Sequence, residues 1–76
     1  MDNATMYNFG YYKYYATLIN NQDCIFDKMK GSNLTEIKKW AKYRGNLYTL
    51  RVETEESVTF YTVKSNRMYK EREELK

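Results

Sequence analysis

Ser32-Asn33-Leu34-Thr35-Glu36-Ile37-Lys38-Lys39-Trp40-Ala41-Lys42-Tyr43-Arg44-Gly45 is the stretch that decides the fold. Asn33 precedes the first apolar residue and can cap a helix. Glu36, three positions on, is placed to reach back to the cap amide. Gly45 offers a left-handed stop, so a helix is expected from Leu34 to about Arg44. At about 100° per residue, Leu34, Ile37, Trp40 and Ala41 share an arc of about 120°, the width of an apolar stripe that lies on a sheet. The remaining positions are polar, so the helix needs one apolar surface to cover.

N-terminal to it, residues from about Met6 to Ile19 are rich in tyrosine and β-branched side chains, which favours a strand. Asn20-Asn21-Gln22-Asp23 reads as a turn, and Cys24 to about Lys30 as a returning strand. If the turn takes those four residues, Ile19 pairs with Cys24. Alternation then places Tyr12, Tyr14, Ala16 and Leu18 on one face with Ile25 and Met29. The other face carries Tyr11, Lys13, Tyr15, Thr17 and Ile19 with Phe26, Lys28 and Lys30. The first set is nearly free of charge and is the expected core face, with Ala16 as a low spot for the helix.

C-terminal to the helix, Leu47 to Thr54 and Ser57 to Lys64 read as strands around Glu55-Glu56. A three-residue connection aligns Tyr48, Leu50 and Val52 with Val58 and Phe60, and is preferred here for its cleaner apolar face. A two-residue connection pairs them instead with Tyr61 and Val63. Ser65-Asn66 makes another turn, after which Arg67-Met68-Tyr69 briefly extends the sheet. Residues 1–5 read as a flexible arm, and Lys70 to Lys76 as a charged tail, frayed or shortly helical. The expected product is one domain over residues 1–76, a small two-layer α+β fold of order ββαββ. Its sheet, antiparallel or mixed, has about four strands, with one amphipathic helix packed on one face.

Composition narrows the chemistry. At 76 residues the chain is near the lower limit for a self-sufficient core. It has one cysteine and no histidine, so neither an internal disulfide nor a Cys/His zinc site can form. Nine tyrosines and three phenylalanines supply much of the area available for burial. Without histidine there is no side chain poised to exchange protons near neutral pH. Cys24 has no basic partner of that kind, glycine-rich phosphate loops are missing, and the acids cluster where water reaches them, at Glu53-Glu55-Glu56 and Glu71-Glu73-Glu74. No enzyme activity, cofactor or metal is expected. No apolar run is long enough to span a membrane. The first residues lack the pattern of a signal peptide, so a cytoplasmic protein without membrane association is expected.

Two surfaces are candidates for binding. Lys38, Lys39 and Lys42 form a basic stripe beside the helix's apolar arc, which could meet phosphate or could simply complement the helix dipole. The second candidate is the sheet face away from the core, with Tyr11, Lys13, Tyr15, Phe26, Lys28 and Lys30, joined by Arg51 and Tyr61. Rings interleaved with cations suit a protein hot spot. They also suit single-stranded nucleic acid, whose bases stack while cations meet the backbone, or plain structure, with lysine stems covering apolar surface. The leading expectation is a protein partner, with a homodimer or nucleic acid on the same face as alternatives.

Asn8-Phe9-Gly10-Tyr11-Tyr12-Lys13-Tyr14 resembles the aromatic strand of RNA-recognition-motif and cold-shock domains over these seven residues. Phe9 stands where those motifs place a cation, and Tyr12 where they place a small residue. Glu55-Glu56 also leaves no room for the second helix of an RNA-recognition motif, so neither family is assigned. The size and the Asn/Tyr/Lys-heavy composition are similar to those of small accessory proteins of phages and mobile elements, anti-CRISPR inhibitors among them.

Overall fold

Asn33 caps the helix as its position suggests: its Oδ1 accepts a hydrogen bond from the Glu36 amide at 3.2 Å. The computed structural model describes residues 12–44 and 47–76. Helix α1 spans Leu34–Lys42 and ends on Tyr43, before Gly45, which lies outside the described residues together with residues 1–11. The strands are β1 Tyr14–Ile19, β2 Ile25–Gly31, β3 Tyr48–Glu53, β4 Ser57–Lys64 and β5 Arg67–Leu75.

They form one antiparallel sheet in the order β2-β1-β3-β4-β5, so the order among the described residues is ββαβββ, with five strands instead of four. β2 and β3 each run antiparallel to β1 and therefore parallel to each other. Strands so oriented cannot be joined by a tight hairpin, and α1 is the crossover that carries the chain over β1 between them.

The fifth strand corrects the reading of residues 70–76 as a frayed or helical tail. Ser65 and Asn66 both adopt left-handed backbone, with φ of 54° and 63°. Turns of that hand match the twist of a two-residue hairpin, so β5 folds straight back on β4. Met68 alone brings apolar surface from β5 to the core. The strand is held by its ladder rather than by a buried face.

The β3–β4 hairpin takes the two-residue connection, which overturns the preferred register. Tyr48 is opposite Val63, Leu50 opposite Tyr61 and Val52 opposite Thr59. Thr54 decides this. Its Oγ1 accepts from the Glu56 amide at 3.1 Å and the Ser57 amide at 3.0 Å, while its own amide donates to the Ser57 carbonyl at 2.8 Å. Val58 and Phe60 are thereby turned to the face away from the helix.

The first hairpin keeps Ala16, Leu18 and Met29 on the expected core side but not its register, and Ile25, expected there too, is exposed and pairs with Ile19 at the register shift. Ala16 is opposite Met29 and Thr17 opposite Lys28, two residues from the expected pairing, because the turn runs from Asn20 to Cys24. Asn20 Oδ1 accepts from the Gln22 and Cys24 amides, which closes it. The core forms where the helix stripe meets the sheet. Ile37 and Ala41 pack with Ala16, Leu18, Tyr48, Leu50, Val52, Tyr61 and Val63, and Leu34 and Trp40 flank them.

Tyr48 carries an orphan. Its buried hydroxyl has no well-aligned hydrogen-bond partner, and burial pushes the phenol above its ordinary pKa, against smaller opposing influences from the backbone and the charge of Arg44. Burial penalises the phenolate in the folded state alone, so this group costs no extra stability below the unfolded pKa and lowers stability progressively as pH climbs from there through the folded one. Tyr48→Phe should therefore gain about 1 kcal/mol near neutral pH by deleting an unpaired polar group. It should also flatten the loss of stability above about pH 10, read from urea midpoints across pH.

Candidate functional site

Register determines which side chains share the helix-free face. Lys28, Thr17, Arg51, Phe60 and Arg72 are successive cross-strand partners from β2 to β5 and form one row. Beside it runs a second row of Lys30, Tyr15, Glu53, Val58 and Glu74. On the other side Ile19, Thr49, Thr62 and Tyr69 form a third. Neighbouring strands lie about 4.8 Å apart, so the cations of the first row recur at about 10 Å across the sheet.

The centre of this face is closed. Tyr15 is only 8% exposed and Thr17 5%. Tyr12 sets its ring edge-on against Tyr15, with centroids 6.2 Å apart, and the Lys30 amine lies 5.0 Å from the Tyr12 ring centroid. Glu53 is the main acid here, with its side chain 11% exposed. One of its oxygens lies 3.0 Å from the Arg51 guanidinium without hydrogen-bond alignment, and the other accepts from Lys76 Nζ at 2.6 Å. Toward β5, the Arg72 guanidinium lies 3.9 Å from the Phe60 ring centroid and pairs with Glu74 at 2.9 Å.

No protein family, curated protein or solved structure matches the chain. Any functional reading therefore rests on this geometry.

Of the residues expected on the face, Lys28, Lys30, Tyr15 and Arg51 are on it, and Tyr11 lies outside the described residues. Three are not. Tyr61 is buried in the core under the helix, a direct result of the two-residue β3–β4 turn. Phe26 sits at the register shift between Leu18 and Ile19, where alternation breaks, and its ring packs edge-on against core Tyr48 at 5.4 Å. Lys13 precedes β1, and its amine lies 5.7 Å from the ring of Tyr14, a helix-side residue. Tyr12 makes the reverse exchange. Alternation places it on the core face, but β1 begins only at Tyr14 and the ring joins Tyr15.

Phe60, Arg67, Tyr69 and Arg72 belong to the face and were missed. The signal that would have found them is Thr54 and Ser57 bracketing Glu55-Glu56, which fixes the parity of β4 and through it that of β5.

The helix stripe is divided. Lys38 is half-buried, with its amine 4.8 Å from the Tyr61 ring centroid, so it packs on the core. Lys39 and Lys42 remain exposed in the last turn. Arg44 stacks on Trp40 and reaches Asp27 at 3.4 Å, tying the helix end to β2. Among the described residues there is no helix long and apolar enough to cross a membrane and no group of His, Cys, Asp or Glu that could hold a metal.

Proposed function

We propose that the chain is a non-enzymatic interaction module that docks its helix-free sheet face on an acidic surface of a partner protein. The observation that carries this reading is the cationic excess of that face. Lys28, Lys30, Arg51, Lys64, Arg67 and Arg72 share it, against Glu53 and Glu74. Charge so arranged steers association and penalises wrong partners. The centre of the face is closed by buried Tyr15 and Thr17, so side chains toward the two edges make the contacts. An accessory inhibitor of the small phage type would act in this way, by covering what it binds.

Protein is favoured over single-stranded nucleic acid at the centre of the face for a geometric reason. Base stacking needs an accessible ring face. Tyr15 is buried, and Arg72 occupies one side of Phe60.

The test uses immobilised protein and native host lysate, with and without nuclease. Wild type should retain a protein that survives nuclease, and Lys28→Glu/Lys30→Glu should lose it by at least tenfold at an unchanged circular dichroism spectrum. Both lysines are exposed edge residues, so the fold tolerates the change. Tyr15 is unsuitable, since its substitution damages packing. Capture abolished by nuclease would assign the face to nucleic acid, and capture undiminished in the variant would place the site elsewhere.

A further inference from the structure

The β4–β5 hairpin closes on two like charges. Lys64 and Arg67 are direct cross-strand partners around Ser65-Asn66, which puts their Cβ atoms about 5 Å apart and makes them repel. Among the described residues no carboxylate lies within ion-pair distance of either, whereas Arg51 and Arg72 each have one. One step along the same face the register sets Thr62 opposite Tyr69. Tyr69 is 48% exposed, and Lys64, Ser65, Arg67 and Tyr69 line a shallow depression. Two unneutralised cations beside an accessible ring and a hydroxyl form a set that nothing in the fold requires.

We propose that this hairpin tip binds a phosphate monoester carried on a flat ring, a nucleoside monophosphate being the simplest such ligand. A phosphate dianion between Lys64 and Arg67 replaces their repulsion with two attractions. The Arg67 guanidinium offers its fork to two phosphate oxygens, and Lys64 adds a mobile point charge. Tyr69 follows Arg67 by two residues, about 7 Å along the strand. With the phosphate at the tip, the ligand's ring stacks on Tyr69 and its sugar lies beside the Thr62 hydroxyl. The site is at one corner of the sheet and does not depend on the partner-docking reading of the face as a whole.

The experiment is an amide chemical-shift titration of the full chain at low salt with inorganic phosphate, ribose 5-phosphate and adenosine monophosphate. All three should shift amides from Lys64 to Tyr69 saturably. The nucleotide should bind at least about fivefold tighter than ribose 5-phosphate, the lower end of what one stacked base contributes. Lys64→Gln/Arg67→Gln should weaken all three at least tenfold. Arg67→Lys, which keeps the charge and loses the fork, should fall between. Tyr69→Ala should bring the nucleotide down to the level of ribose 5-phosphate. These side chains are exposed, so an unchanged melting curve is expected for each variant. Unsaturable shifts, or equal affinity in the glutamine double variant, would overturn the site. A nucleotide that binds no tighter than ribose 5-phosphate would overturn the role of Tyr69 and with it the assignment to nucleotides.

Discussion

Ile37→Ala is expected to remove a large share of the chain's stability and to lower its urea midpoint well below that of wild type. Ile37 is fully buried and is the larger of the two helix side chains sealed against the sheet. Truncating such a residue removes apolar contact and leaves a cavity, at about 2–5 kcal/mol. A domain of this length has about 4–11 kcal/mol in total. The loss falls toward the upper end because the site collapses poorly. Its neighbours Leu18, Leu50 and Val63 project from a hydrogen-bonded ladder that cannot move inward to fill the space. Lys39→Ala, exposed on the same helix, is the control and should change stability by less than about 0.5 kcal/mol. Urea titration followed by circular dichroism distinguishes them. A midpoint for Ile37→Ala within error of wild type would mean that the helix does not seal the core.

Glu53→Gln is expected to cost about 2 kcal/mol, and the C-terminal end of β5 should lose order first. Glu53 is nearly buried on the helix-free face, where it balances Arg51 at 3.0 Å and Lys76 at 2.6 Å. An isosteric amide keeps the shape and deletes the charge, leaving Arg51 only 29% exposed and without its counterion. Removing one partner of such a cluster costs more than the cluster itself contributes. Exposure of the two cations keeps the figure below that for a fully buried pair. The Lys76 amide also donates to the Glu56 carbonyl at 2.9 Å, so these two ties converge beside the Thr54–Ser57 turn. Hydrogen exchange should therefore quicken from Glu73 to Lys76 well before it changes near Met68. Uniform protection along β5 in the variant would show that Glu53 does not anchor this end.

How much of this was readable in the residues depends on where hydrophobic period and turn chemistry agreed. They agreed at the helix, where Asn33 and the Leu34-Ile37-Trp40-Ala41 stripe point to one element, and in β1, where Ala16 and Leu18 face inward as expected. They disagreed in β4, which has apolar residues on both parities, Val58 and Phe60 against Tyr61 and Val63. Apolar counting cannot choose between those faces, and the Thr54 hydroxyl can. β5 beyond Tyr69 was invisible for a different reason: its side chains are charged on both faces, so it has no period to detect, and only pairing with β4 makes it a strand. The candidate site inherited these limits. Lys28, Lys30 and Arg51 were placed by simple alternation, whereas Tyr61 followed the wrong hairpin register and Phe26 fell at an unforeseen register shift. Nothing in the local sequence marks such a shift.

β2 and β5 are the outermost strands, and their open backbones are where a sheet could grow. On β2, an antiparallel junction with a second copy centred on Lys28 sets ammonium against ammonium, and one centred on Asp27 sets carboxylate against carboxylate. Centred on Met29, it opposes Lys28 with Lys30. Each such register carries a like-charge contact on an exposed edge, the arrangement that blocks edge-to-edge growth. β5 is guarded by the density of its charge, from Arg67 through Glu74. The lysines that give one face its potential therefore also set like charges against each other in these registers, which disfavours the pairing of β2 with a second copy.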